Sequence, residues 1–325
     1  MTGVLVDDPA AGDDVPFRPV GTPTPQDRVF LALSTVAACV SLAIVLITFL
    51  FLVKESQPAF HAAGLWKFFT GSIWNPAAGR LGVFGLLVGT VIIATIAILI
   101  ALPMALGMAL FINEFAPPRI RQFLTSMMDL LAALPSLLFG LWAITTLQGK
   151  LEPIARWMTD HLSVIPFFRL SSPDATLARS SFVAGVVVAF MIMPIITSVS
   201  RDVMAQVPRE QCEGALALGG TRWGMIREVI LPFGRSGIVG AALLGFGRAL
   251  GETIAVALVV SLVFDANSHV LELGGGSVAA LIATRFGEAD SIERSGLVAA
   301  GLALFLLTFA VSAVARRIVA KTTVA

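Results

Sequence analysis

The chain has 325 residues, of which 57% are hydrophobic and 13% charged, with a formal net charge of +1. The charged share is roughly half that of a soluble domain, which places the chain in the membrane. A near-neutral balance without basic tracts gives no reason to expect a nucleic-acid partner, and two cysteines, Cys39 and Cys212, are too few for a disulfide framework.

Residues 1–28 are rich in Asp, Pro and Gly, with Asp7, Asp8, Asp13 and Asp14 ahead of the first apolar run. That composition cannot bury a core and predicts a disordered tail. Its acidic start and the long apolar run behind it are unlike a signal peptide, so the first span is expected to stay as an anchor. Five segments then lack Asp, Glu, Lys and Arg for twenty or more residues: Val29–Val53, Leu81–Asn113, Leu130–Gly149, Ser180–Ser200 and Ser295–Ala315. About 20 apolar residues cross the hydrocarbon core, so each qualifies as a span. With Ser236–Phe264 the count is six. The predicted fold class is an all-α polytopic membrane protein with six transmembrane helices over residues 29–317 and a short tail over 318–325.

Six spans put both termini on one side. A cytoplasmic placement gives inside segments 12 Lys and Arg against nine outside. Pro103, Pro135 and Pro194 fall inside spans and are expected to kink or break them, as packing kinks or as hinges. Small residues, among them Gly85, Gly89, Gly237 and Gly245, permit close helix approach within a bundle or at an oligomeric interface. The segment Lys150–Arg179 is expected to hold a short surface helix. "LGGGS" within Asp265–Arg294 lacks the Lys-Ser or Lys-Thr of a phosphate-binding P-loop, so ATP-driven work would have to come from a partner. His61, His161 and His269 lack paired ligand spacing, and no metal site is expected.

The span Ser236–Phe264 carries Arg248 and Glu252 at its middle and no other charge. A charge at the centre of a membrane helix costs about 2.5–3.5 kcal/mol on insertion scales, so it faces protein or water and marks a functional site. On a continuous helix the i, i+4 spacing would put both groups on one face, about 6 Å apart along the axis. Arg248 then presents a permanently charged planar fork to an anion, and Glu252 pairs with it when the path is empty. An ion pair that locks the helix against a partner chain is the alternative. Gly251 and Thr253 flank the pair. Asp129 reads as a carboxylate at a helix N-terminus and Glu114 as a solvated loop charge.

The longest inside connection, residues 201–235, reads as two short helices. Pro208 opens "REQCEGALAL", Gly219–Gly220 supply a left-handed stop, and Thr221 caps "RWGMIREVI", ended by Pro232. Within it, Glu213-Gly214-Ala215, three residues, Gly219, nine residues, then Val229-Ile230-Leu231-Pro232 resembles the EAA loop of ABC-importer permeases. Gly214 and Val229 stand where Ala and Ile are commonest. "GFGRALGETIAV" (Gly245–Val256) resembles the fifth-span signature of phosphate permeases of the PstC/PstA type. "DLLAALPSLLFGLW" (Asp129–Trp142) and the run from Leu86 to Pro117 resemble the PstC member in particular. The likeness covers about Gly82 to Arg317; the acidic tail and much of Lys150–Arg179 fall outside it.

That resemblance implies a type I, MetI-like permease bundle in a bacterial plasma membrane that moves inorganic phosphate by alternating access and catalyses no chemistry itself. The implied partners are a PstA-like second permease, two cytoplasmic ATPase subunits that bind ATP and Mg, and an extracytoplasmic phosphate-binding protein. No cofactor is implied for the chain itself. Arg248, Glu252 and Thr253 would line the substrate path. Glu213, Gly214, Ala215, Gly219, Leu231 and Pro232 would form the ATPase-coupling loop. Three rivals remain open: a permease for another oxyanion such as molybdate or sulfate, an ion-coupled secondary transporter, whose usual inverted repeat is not evident here, and a membrane scaffold without a path.

Overall fold

The computed structural model describes residues 24–172, 174–265 and 268–323; the acidic stretch expected to be disordered lies almost wholly outside them. Two compact units divide the chain between Leu50 and Phe51. The first holds most of α1 (Pro25–Glu55), a helix apolar on every side, as a membrane crossing requires. It starts ahead of the expected Val29 boundary because Thr24 and Asp27 cap it reciprocally. Thr24 Oγ1 accepts the Asp27 N–H at 3.3 Å, and the Asp27 carboxylate accepts the Thr24 N–H at 2.9 Å. Pro25 occupies the first turn, where its missing N–H does no harm.

The second unit begins with α2 (Gln57–Ala63), α3 (Leu65–Thr70) and a hairpin of β1 (Trp74–Asn75) with β2 (Arg80–Leu81), in which Trp74 pairs with Leu81. The long helix α4 (Phe84–Leu110) follows and ends in a π-helical turn over 111–115. Helices α5 (Pro118–Ala133) and α6 (Ser136–Trp142) meet at a 92° bend. The expected crossing Leu130–Gly149 is thus broken at the proline inside it, as the sequence suggested, and the cause is local. Pro135 lacks an N–H and pushes Leu134 into an extended conformation (ψ 134°). Beyond the bend, α6 runs through a π turn at 143–147 into α7 (Gln148–Leu162). Most of the helix expected on the surface is thus a prolongation of the crossing. Pro103 and Pro194 lie inside unbroken helices instead.

Then come α8 (Ser181–Met204), α9 (Arg209–Ala217), α10 (Arg222–Met225), α11 (Leu231–Leu250), α12 (Ile254–Val259), α13 (Val278–Arg285) and α14 (Ser291–Thr323). Residues 318–323, expected as a tail, continue α14. Among the described residues, five helices are long and apolar enough to cross a membrane, and the bent pair raises the number to six.

Helix α8 is the hub, packed against α4 and α11. On α4 the buried residues Gly85, Gly89, Ala97, Ala101, Ala105 and Ala109 recur at multiples of four, so one small-residue stripe lets the neighbouring backbone approach closely. The glycines of α11 do the same on the other side: a methyl at Gly245 would sit 2.6 Å from Ile196 Cδ1, and one at Gly237 2.5 Å from Val203 Cγ2. These two glycines serve packing within the chain.

Candidate functional site

Helix α11 does not run through to Phe264. It ends at Leu250; Gly251 closes it (φ −93°, ψ 2°), and a new short helix, α12, starts at Ile254. Arg248 and Glu252 therefore do not share a helix face, and the predicted i, i+4 pair is corrected. Arg248 is exposed, and among the described residues it takes part in no ion pair. Glu252 is 8% exposed, and its Oε1 accepts the Ala255 N–H at 3.3 Å, capping α12 from inside the protein. Thr253 Oγ1 donates to the Gly251 carbonyl at 3.0 Å, which holds the turn closed. The three residues assigned to the path thus meet at one break, in different roles: the cation outside, the carboxylate inside, the hydroxyl on the backbone.

Arg248 stands on a long open face. Phe233, Gly240, Leu244, Gly247, Arg248 and Gly251 are all exposed and recur at helical spacing along α11. Around Gly240 and Gly247 a methyl group would meet nothing within 4 Å. An uncompensated guanidinium inside a membrane crossing needs water or another protein surface against it. This face is open enough to admit either one. The apolar run around Arg248 and Glu252 contains no proline, so the break gave little warning in the sequence. Its signals are Gly251, a poor helix former, and Glu252 three residues ahead of the N–H it accepts.

At one end of the bundle the loop 201–235 projects. Helix α9 has no buried residue, and Glu213 is exposed. Gly219 takes the predicted left-handed conformation (φ 86°), and Thr221 Oγ1 accepts the Gly224 N–H at 3.1 Å. Leu218 (92% exposed) and Trp223 (63%) leave apolar surface at the tip. One expectation is corrected: Leu231 and Pro232 do not end the second helix. Helix α10 passes through a π turn at 226–230 straight into α11, so Pro232 lies in the first turn of α11 and the knob is built onto the helix carrying Arg248. Behind the tip, Cys212 and Ala215 pack on Ala109, Met204, Met225, Ile226 and Ile230, which joins α9 to α4, α8 and α11. Burial foremost, then the Glu114 and Glu213 carboxylates, pushes the Cys212 thiol above its ordinary pKa. Asn113 Nδ2 donates to the Arg201 carbonyl at 2.8 Å and Arg121 Nη2 to the Asn113 carbonyl at 2.7 Å, bracing the same end.

At the opposite end, the glycine run dismissed as a nucleotide loop has another task. Residues 271–277 form a strap against α4 and the start of α8, with Gly274, Gly275 and Gly276 at φ 114°, 114° and 149°. A methyl on Gly89 of α4 would lie 2.3 Å from the Gly276 carbonyl oxygen. Thr90 Oγ1 accepts the Val278 N–H at 3.1 Å, and Phe182 N–H donates to the Val270 carbonyl at 2.9 Å. Buried Glu272 accepts from both the Ser171 N–H and, at 2.8 Å, the Ser171 hydroxyl. Gly89 was expected to permit a close approach and does so here, against the strap; Thr90, Ser171 and Glu272 escaped the sequence reading, and only the three consecutive glycines signalled an unusual backbone.

A membrane bundle with an exposed knob at one end and a charged break inside a crossing has the architecture of a transport permease, and the comparisons agree. Residues 101–324 match the family described as binding-protein-dependent transport system inner membrane component. The phosphate transport system permease protein PstC 2 of Mycobacterium tuberculosis is 40% identical over 297 residues, covering 90% of this chain and 91% of that one. PstC of Xylella fastidiosa is 36% identical over 291 residues, 89% of each chain. Among solved structures, a bacterial ABC transporter involved in the import of the acidic polysaccharide alginate has a chain that aligns at a TM-score of 0.55 and 18% identity, over 90% of this chain and 99% of that one. The inward-facing methionine transporter MetNI aligns at 0.51 and 16%, over 74% and 95%. These two share the fold. The chain belongs to the binding-protein-dependent transport inner-membrane components, and within them to the PstC permeases.

Proposed function

We propose that this chain is the transmembrane subunit of an ATP-driven importer that moves inorganic phosphate across a bacterial plasma membrane by alternating access. The observation that carries the reading is Arg248, an uncompensated cation on the open face of a membrane-crossing helix at the point where that helix ends. The PstC relatives supply the substrate class. Guanidinium keeps its charge at any physiological pH and offers a fork that matches two oxygens of a phosphate. Glu252 keeps the break in shape by capping α12, and Thr253 keeps the turn closed beside the path. With its carboxylate turned inward, Glu252 leaves the guanidinium free for the anion.

The permease performs no hydrolysis. ATP and Mg are held by two cytoplasmic ATPase subunits, which seat the α9 knob with Glu213, Gly214, Ala215 and Gly219. Their closure moves α9, and the apolar cluster behind Cys212 and Ala215 passes the motion to α4, α8 and α11. A PstA-like second permease covers the open α11 face, and a phosphate-binding protein delivers substrate at the strap end. Both termini lie in the cytoplasm. The test is uptake of labelled phosphate into vesicles reconstituted with and without this subunit, with unlabelled phosphate, sulfate and molybdate as competitors. Uptake that needs the subunit and yields only to phosphate is expected; equal competition by sulfate or molybdate contradicts the substrate assignment.

A further inference from the structure

The segment between Glu55 and Phe84 holds a polar cup unconnected with the α11 face. Three helix ends gather there: α1 closes at Glu55, α4 opens at Phe84, and Ser295 near the start of α14 donates its hydroxyl to the Glu55 carbonyl at 2.8 Å. These ends lie at the bundle end remote from α9, so the cup sits at the membrane surface on that side. Its volume is about 610 Å³, and its wall includes Lys67, Thr70, Ser72 and Arg80. The floor is a backbone crossing: a methyl at Gly82 would fall 2.5 Å from the Gly71 carbonyl carbon, and the Gly82 N–H donates to the Ile73 carbonyl at 2.9 Å. Lys67 and Arg80 are exposed, and among the described residues neither takes part in an ion pair.

Two uncompensated cations with the Ser72 hydroxyl on the same wall recognise a phosphate oxyanion, while the Thr70 hydroxyl donates to the Trp66 carbonyl at 2.8 Å. The source follows from the flank. Leu65, Trp66 and Ile73 beside the cup are 58%, 80% and 56% exposed, whereas Phe68 of the same short helix is fully buried and stacks edge-on to Phe60 at 5.4 Å. Exposed tryptophan and aliphatic side chains next to basic residues suit the headgroup level of a bilayer, with rings among the acyl chains and cations at the phosphates. We propose that this cup binds the phosphate of an anionic phospholipid in the leaflet on the side opposite α9. The site fastens the α2, α3 and hairpin module to the membrane surface, and it stands independently of the transport reading.

The test uses the delipidated full importer complex in detergent, titrated with phosphatidylglycerol and read by native mass spectrometry. Lys67→Gln and Arg80→Gln should each weaken retention of one lipid roughly fivefold, and the pair together about 30-fold. Lys67→Arg, which keeps the charge, should retain it, and this arm separates lost binding from lost fold. Millimolar inorganic phosphate should leave the lipid in place. Retention by the double variant equal to wild type overturns the site. Displacement of the lipid by inorganic phosphate overturns the lipid assignment in favour of a free anion.

Discussion

Arg248 and Glu252 divide a task that the sequence suggested they share. One guanidinium faces an open helix face, and one carboxylate is spent on the Ala255 N–H. Groups without mutual contact contribute independently, so Arg248→Gln and Glu252→Gln should change the unfolding free energy additively within about 0.5 kcal/mol. A coupling well above that in the double-mutant cycle would restore the ion pair. The i, i+4 spacing was legible, but its geometry held only for an uninterrupted helix. Gly251 and the capping carboxylate ended that helix; Glu252 stood out as a charge, but nothing in hydropathy disclosed it as a cap. Cys212 offers a second check at this scale. Because its pKa is raised, a smaller fraction is thiolate at any given pH, and maleimide labelling at pH 8 should run slower than for a fully exposed cysteine. Glu114→Gln and Glu213→Gln should each speed it; an unchanged rate in both would contradict the local field.

The knob and the strap show which elements the sequence disclosed. The Gly219 stop and the Thr221 cap follow from residue chemistry alone and stand as predicted. Pro232 misled because proline is equally at home after a helix end and in a first turn; the preceding π turn decided the matter by joining α10 to α11. Gly219→Ala forces a side chain into the left-handed region and should destabilise the complex by about 1–2 kcal/mol. Gly214 has open space around it and sits within α9, so Gly214→Ala should be neutral or stabilising by up to about 1 kcal/mol. Thermal unfolding of the two variants separates the claims, and similar losses in both would refute them. In the strap, Gly89→Ala would push a methyl into the Gly276 carbonyl and should cost about 1–3 kcal/mol. Faster amide exchange over residues 271–277 would locate that loss, and unaltered exchange would show that the strap does not rest on α4.

Across the second unit, the α4, α8 and α11 core joins an end that projects a knob to an end closed by a glycine strap. Apolar runs disclosed most of the crossings because burial in lipid requires them. The bend at Pro135 was legible from its proline, although Pro103 and Pro194 leave their helices unbroken; the break at Gly251 was not, since it lies within such a run and is decided by a few hydrogen bonds. The packing role of Gly237 and Gly245 also needed the structure, because only the neighbours Val203 and Ile196 distinguish it from an oligomeric face. What unites the two ends in one account is the cation on the α11 wall, connected through α10 to the knob. The most direct measurement is labelled-phosphate uptake by the fully assembled importer carrying Arg248→Gln, with assembly and ATP hydrolysis measured in the same vesicles. Loss of a charge-assisted contact of about 3 kcal/mol predicts uptake on the order of 100-fold lower in a complex that still assembles. Wild-type uptake by that assembled variant would contradict it.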